Sequence, residues 1–344
     1  MKRGFRIVFN LFFVILLLSC NKAKSKKLMH FDDKIQLAGT TVPITDIHLK
    51  YPFRLRQGGS LLYIMDLHPK AHYAHEFAYP SLKHKNSFMK YGQAPNDFLD
   101  AENIRLDEHG ILWSLDANKQ KLVSFSNGFT EPDKTILLDD DLIRVLDFDF
   151  LNDSTFIVPD YTGEYRINLI NHEGKIIDRV FKIPASDVLE TKTPQVALAQ
   201  AWRSFIDYNA EHGILAMVSQ LGQVLEIYDL KKKRTINIVK NEEPEFIVKG
   251  GHAIPNGIMG YSDVYVGNES IYALFWGHSF EDIKRGKVTH EGGNSIHVFS
   301  LDGTPKIEYK LDSYITGFHI NEKDKYILGL DVNSNQPLKK FRYD

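Results

Sequence analysis

Residues 104–116 read Ile104-Arg105-Leu106-Asp107-Glu108-His109-Gly110-Ile111-Leu112-Trp113-Ser114-Leu115-Asp116. Two short apolar runs flank a Glu-His-Gly turn, and an aspartate closes the second run. A turn of that composition between two such runs predicts a β-hairpin. The unit returns along the chain. Residues 53–55 and 61–65 flank Gly58-Gly59, with Asp66 after them. Residues 146–150 and 155–158 flank Asn152-Asp153, with Asp160 after them. Residues 204–208 and 214–218 flank Glu211-His212-Gly213, and 262–266 and 271–275 flank Gly267-Asn268-Glu269. Residues 316–320 and 326–330 flank 321–324, with Asp331 after them.

The matching second-run residues are Leu62, Leu112, Phe156, Leu215, Tyr272 and Tyr326, 44 to 59 residues apart. Four-stranded propeller blades repeat at about 40–50 residues, so six units with loop insertions fit. Third and fourth strands follow at 121–126 and 134–138, 166–170 and 175–181, 223–229 and 234–239, and 295–300 and 306–311. The last unit reaches a third strand at 338–343 and then the chain ends. A strand at 34–37 or at 41–44 supplies the missing fourth and closes the ring, which removes free sheet edges. The fold expected is therefore an all-β, six-bladed β-propeller of four-stranded antiparallel blades, closed by an N-terminal strand. Two β-sandwiches would not produce six units and a truncated end. Helical periods are scarce. Residues 193–202 (TPQVALAQAW) are short and read as a loop with about one helical turn.

The chain has 344 residues, 43% of them hydrophobic, and a formal charge of −2. No basic field exists to hold nucleic acid. Its single cysteine, Cys20, excludes an internal disulfide and a Cys-rich metal site. Lys2, Arg3 and Arg6 precede an apolar run at 7–18 and Leu17-Leu18-Ser19-Cys20. That is a secretory signal whose core is too short to span a bilayer. The tetrad resembles a bacterial lipobox, which implies cleavage before Cys20 and its acylation. The organisation expected is a leader at 1–19, an acylated tether at 20–32 and the propeller at 33–344. The tether carries Lys22, Lys24, Lys26 and Lys27. In Bacteroidetes lipoproteins acidic residues at this place favour export to the cell surface. By that resemblance the basic residues here imply an outer-membrane anchor facing the periplasm.

Tyr91-Gly92-Gln93-Ala94-Pro95-Asn96-Asp97-Phe98, with the lipobox and the six units, resembles the TolB-like six-bladed propeller lipoproteins of Bacteroidetes. The family usually has Gly where this chain has Ala94. Read physically, the stretch is a structured turn: Pro95 fixes φ, Asn96 or Asp97 bonds the backbone, and Phe98 plugs a core. The resemblance implies fold and location, not an activity.

Propellers bind ligands at one end of the central channel, where first strands begin and second strands finish. Arg54, Arg105, Arg144, Trp202, Arg203 and Tyr261 fall at starts, and Trp276 and His278 at ends. Arginine forks suit carboxylates and phosphates, with the aromatics as stacking walls. The alternative is that the arginines pair with the recurring Asp66, Asp116, Asp160 and Asp331 and tie blades together. Asp66, His68, His72 and His75 could ligate a transition metal, although a solvated His-rich loop is the plainer reading. No nucleophile elbow, P-loop or His-Glu-x-x-His motif is present. The function expected is a non-catalytic binding or scaffolding module for a small anionic or sugar ligand or an envelope protein, without a cofactor. The alternative is a metal-assisted hydrolase or lyase acting on a sugar or lactone in the channel.

Overall fold

The computed structural model describes residues 29–126, 131–142, 144–186 and 192–343. The leader, Cys20 and the tether up to residue 28 lie outside the described residues. Strands β1 (Asp33–Leu37) and β2 (Gly39–Thr41) come first. Blade 1 is β3 (Pro52–Gly58), β4 (Leu61–Asp66), β5 (His72–Ala78) and β6 (His84–Lys90). Blade 2 is β7 (Ala101–Leu106), β8 (Leu112–Asp116), β9 (Lys121–Phe125) and β10 (Lys134–Leu137). Blade 3 is β11 (Asp149–Asn152), β12 (Thr155–Pro159), β13 (Ile167–Asn171) and β14 (Ile176–Val180). Helix α1 (Gln195–Ala201) precedes blade 4: β15 (Ser204–Asn209), β16 (Ile214–Ser219), β17 (Gln223–Asp229) and β18 (Arg234–Glu242). A separate hairpin follows, β19 (Phe246–Lys249) and β20 (His252–Pro255). Blade 5 is β21 (Tyr261–Val266), β22 (Ser270–Phe275), β23 (Gly293–Ser300) and β24 (Pro305–Ile315), with helix α2 (Phe280–Lys284) between β22 and β23. Blade 6 is β25 (Phe318–Asn321), β26 (Tyr326–Leu330) and β27 (Leu338–Arg342), completed by β2.

Each blade is an antiparallel meander whose strands pair in chain order. The second strands are buried along their whole length in four of the six blades, and nearly so in blades 1 and 5. Their side chains meet those of neighbouring blades in continuous clusters. One such cluster joins Ala216, Val218 and Ile227 of blade 4 to Val264, Ile271 and Phe299 of blade 5. A strand buried on both faces reads as an apolar run, which is why the second runs were the clearest signal in the sequence.

Of the two N-terminal strands, one closes the ring. β2 pairs antiparallel with β27 and is the fourth strand of blade 6. β1 does not close the ring; it adds in parallel to the outer edge of β24 as a fifth strand of blade 5. Gly39, between the two, leaves no room for a side chain, because a Cβ there would lie 2.6 Å from the Phe341 ring. The chain before β1 is also docked. Phe31 packs on His297 at 4.6 Å between ring centroids, and both Met29 and Phe31 are buried. Residues 29–32 are thus part of the propeller's packing and not of a free tether. Residues 195–201 form a seven-residue helix, longer than the single turn expected, because Leu198, Ala199 and Ala201 pack against Trp202.

Phe341 is fully buried between blade 6 and the strands that close it. Phe341→Ala is expected to cost about 3–5 kcal/mol in chemical denaturation.

Candidate functional site

The first strand of each blade lines the central channel, and its inner edge has no neighbouring strand to pair with. Buried backbone N–H groups on that edge need partners. At or beside each first strand lies a triplet with an apolar middle residue: Arg54-Leu55-Arg56, Asn103-Ile104-Arg105, Asp147-Phe148-Asp149 and Asp263-Val264-Tyr265 are polar on both sides of it, while Phe205-Ile206-Asp207 and Gly317-Phe318-His319 are polar on the second side only. The middle residue enters the core, and all six are fully or almost fully buried. The outer two face the channel, making an upper and a lower ring. The upper end is where first strands begin.

Carboxylates of these rings reach the backbone of the next blade. Asp147 accepts from Ile206 N at 2.9 Å, and Asp149 from Tyr208 N at 2.7 Å. Asp207 accepts from Val266 N at 2.7 Å, and Asp263 from Phe318 N at 3.2 Å. Asn103 donates to Asp147 at 2.5 Å. Two guanidiniums compensate the buried negative charge. Arg105 pairs with Asp207 at 2.7 Å, Asp149 at 2.9 Å and Asp147 at 3.3 Å, and also donates to the Ile206 carbonyl. Arg54 crosses the channel to the Ser262 carbonyl at 2.8 Å, with Asp263 at 3.8 Å. Burial pushes the Asp149 carboxyl up to about 7 against the pull of Arg105. Asp207 is raised for the same reason.

Arg54 and Arg105 therefore lie inside the channel as buried struts. Their partners are the first-strand aspartates, not the recurring aspartates at second-strand ends. Those bind backbone amides instead. Asp66 accepts from Lys50, Tyr51 and His68, and Asp116 from Leu99, Asn118 and Lys119. Asp160 accepts from Thr162 and Tyr165, and Asp331 from Asn333. They shape the loops at the upper end.

The other sequence candidates disperse. Trp202 is fully buried, its ring 5.9 Å from Arg166. The Tyr261 hydroxyl is held in the core by His297 Nδ1 at 3.0 Å. Arg144 is exposed at the upper end with φ at +44°. Arg203 lies there too, 5.9 Å from the Tyr161 ring. Trp276 and His278 are half-buried on the upper rim of blade 5, where His278 stacks on Tyr314. The Asp66, His68, His72 and His75 set is not assembled. Asp66 is occupied by backbone amides, and His72 and His75 belong to strand β5, with His75 bonded to Ser87 at 2.9 Å. Among the described residues, three ligating groups come within 4.8 Å of one another at Glu108, His109 and Asp153, all on exposed lower turns.

The lower ring encloses a cavity of about 350 Å³ that opens where first strands finish. Arg56, Arg105, Asp149, Asp207, Tyr265 and His319 all line it, one from each blade. Arg105 and its carboxylates form the floor. Arg56 differs: its guanidinium donates to the Leu55 carbonyl at 2.9 Å and makes no ion pair among the described residues. Burial, with the charge of Arg56 beside it, pushes the His319 imidazole down to about 3. A neutral imidazole, a phenol and one available cation thus face the space, with Gln57, Asn209 and Asn268 at its rim. The sequence reading missed this end. The alternation of the triplets was the signal that could have found it, but it shows only when the six units are aligned on their first strands. The fully buried Arg166–Glu226 pair, at 2.6 Å between blades 3 and 4, was also missed. Its partners lie on third strands of different blades, which no repeat places together.

The family model for TolB-like 6-blade propeller-like proteins matches residues 30–323. The chain belongs to this family. Similar solved structures include a duf4221-family protein of Bacteroides vulgatus, 10% identical, with a TM-score of 0.60 over 89% of this chain and 96% of that one. A Bacteroides fragilis protein named for its expected export is 11% identical, with a TM-score of 0.55 over 90% and 97%. The Pan2 WD40 domain of Neurospora crassa reaches 0.51 at 11% identity over 92% and 87%. At such identities the likeness is one of fold. No curated protein sequence matches this one. The Gly92–Phe98 turn of this TolB-like propeller is structural: Phe98 is fully buried, and Lys119 and Lys121 both donate to the Asp97 carbonyl.

Arg105→Met would leave three buried carboxylates without their cation, and a loss of about 3–5 kcal/mol is expected in denaturant titration. At the upper end, burial pushes the Glu102 carboxyl up to about 7, with Asp100 adding to the effect. A carboxyl raised on folding takes up protons, so its ionisation weakens the folded state as pH rises from about 4.5 through 7. Glu102→Gln is expected to stabilise on the order of 1 kcal/mol at pH 8, a gain that vanishes below pH 4.5 in parallel denaturation curves.

Proposed function

We propose that this TolB-like propeller is an exported, lipid-anchored, non-catalytic binding module of the cell envelope whose lower cavity takes a small anionic ligand. The observation that carries the reading is the Arg56 guanidinium. It is an unpaired cation in a cavity to which every blade contributes a side chain. A carboxylate or sugar acid would meet the Arg56 fork, and its hydroxyls would meet Tyr265, neutral His319 and the rim amides. The Arg105 guanidinium is engaged by Asp147, Asp149 and Asp207, so the floor supplies shape and rigidity rather than reaction chemistry. The cavity opens at the lower end, where a ligand would enter. Export is supported by the leader sequence at 1–19 and by the printed name of the Bacteroides fragilis protein of the same fold. Anchoring through Cys20 in the outer membrane, facing the periplasm, rests on the lipobox and on the basic residues that follow it.

Thermal melts against sugar acids, simple carboxylates and neutral sugars test the site. An acid present at about 100 times its Kd should stabilise by about 2.7 kcal/mol. Arg56→Gln should abolish that shift while keeping the fold, since Arg56 donates to the Leu55 carbonyl and makes no ion pair among the described residues. A shift from neutral sugars equal to that from acids, unchanged in the variant, would overturn the anionic reading. In cells, Cys20→Ser should abolish incorporation of labelled palmitate and release the protein from the membrane fraction.

A further inference from the structure

We propose that the upper end of the propeller docks on a lipid surface, with the β19–β20 hairpin and helix α1 entering the headgroup layer. The proposal rests on the reading that Cys20 is acylated, and goes beyond it by assigning the face that meets the bilayer. The first observation is where the chain leaves the propeller. Met29 N donates to the Asn241 side chain at 2.7 Å, and Asn241 returns a bond to the Met29 carbonyl at 3.2 Å. The Tyr261 hydroxyl contacts Met29 Sδ at 3.4 Å. Both partners lie at the upper end, and Asn241 is five residues before the hairpin begins. The chain toward Cys20 therefore departs beside the root of the hairpin. Nine residue steps separate Cys20 from Met29, a reach of at most about 30 Å. Acyl chains on so short a leash hold the upper end near the bilayer. Lys22, Lys24, Lys26 and Lys27 within the leash suit anionic headgroups.

The second observation is what the hairpin presents. Ile247 and Ile254 are paired directly across it and are 54% and 42% exposed. Val196 on α1 is 44% exposed. The hairpin's inner side is fixed. Phe246 and Ala253 pack on the cluster of Leu198 and Trp202, and the Gln200 side chain accepts from Ala253 N at 3.0 Å and contacts His252 Nδ1. Val196 lies one turn before Gln200, on the same side of α1. Exposed Lys249 sits at the tip. Aliphatic side chains held outward, with a lysine among them, suit the interface between acyl chains and headgroups. The hairpin's outer backbone edges keep its insertion shallow. In this orientation the Arg56 cavity faces away from the bilayer.

The test uses the full acylated chain in vesicles of phosphatidylethanolamine and phosphatidylglycerol. Acylation occupies the one native cysteine, so Ile247→Cys, Ile254→Cys and, at the lower end, Glu108→Cys each carry a single free thiol for a polarity-sensitive fluorophore. Labels at 247 and 254 should shift to the blue on reconstitution and be quenched by brominated acyl chains, and the label at 108 should do neither. A label at Val196→Cys should behave like those at 247 and 254, and lose its quenching when Ile247→Glu and Ile254→Glu are added. If the protein floats with vesicles but the labels at 247 and 254 remain as wet as that at 108, the docking proposal fails and the anchor stands. If the protein does not float, the anchor reading fails and the proposal with it. A blue shift at 247 that appears without vesicles and grows with protein concentration would assign the face to a second copy, which also overturns it.

Discussion

Six strands meet around an axis with their inner edges unpaired, and this is the constraint the rest of the molecule obeys. Neighbouring first strands splay too far apart to form a continuous ladder. Their buried amides must still be satisfied, since an orphaned group costs on the order of 1–3 kcal/mol. Asp147, Asp149, Asp207 and Asp263 bridge the gaps by accepting an N–H from the following blade. Bridging by carboxylates brings buried charge, which is tolerable only when paired. Arg54 and Arg105 are the consequence. They reach across the axis because the carboxylates they neutralise belong to other blades.

That solution also divides the channel. With guanidiniums across its middle, the propeller has an upper and a lower end on either side of the Arg54 and Arg105 contacts. The upper end gathers the loops that Asp66, Asp116, Asp160 and Asp331 hold through backbone amides, together with the N-terminal exit and the apolar hairpin. The lower end keeps a cavity whose floor engages Arg105 among three carboxylates, and Arg56 is a cation left without an ion pair among the described residues. The proposed membrane face and the proposed solute site lie at opposite ends, with the Arg54 and Arg105 contacts between them.

Much of this was legible in the sequence, for physical reasons. Second strands are buried on both faces, so they read as apolar runs at blade spacing, and the truncated last unit called for an N-terminal strand. The arginines could be recognised as unusual, but not placed. Arg105 finds Asp207 102 residues away, and Arg54 finds Ser262 208 residues away, pairings that no local pattern encodes. The histidines misled for a related reason. His68, His72 and His75 are close in sequence, yet strand geometry turns His72 and His75 into a ladder while Asp66 bonds the backbone.

The sequence by itself determined the blade count, the strand order within each blade and the need for closure from the N-terminus. Those features follow from local periodicity and turn chemistry, which act over a few residues. Tertiary structure decided which of two N-terminal strands closes the ring, which carboxylate each arginine meets, and which end of the channel stays open. These depend on side chains brought together around a common axis from six distant segments. Their energies arise from burial and charge pairing across blades, which exist only once the ring has closed.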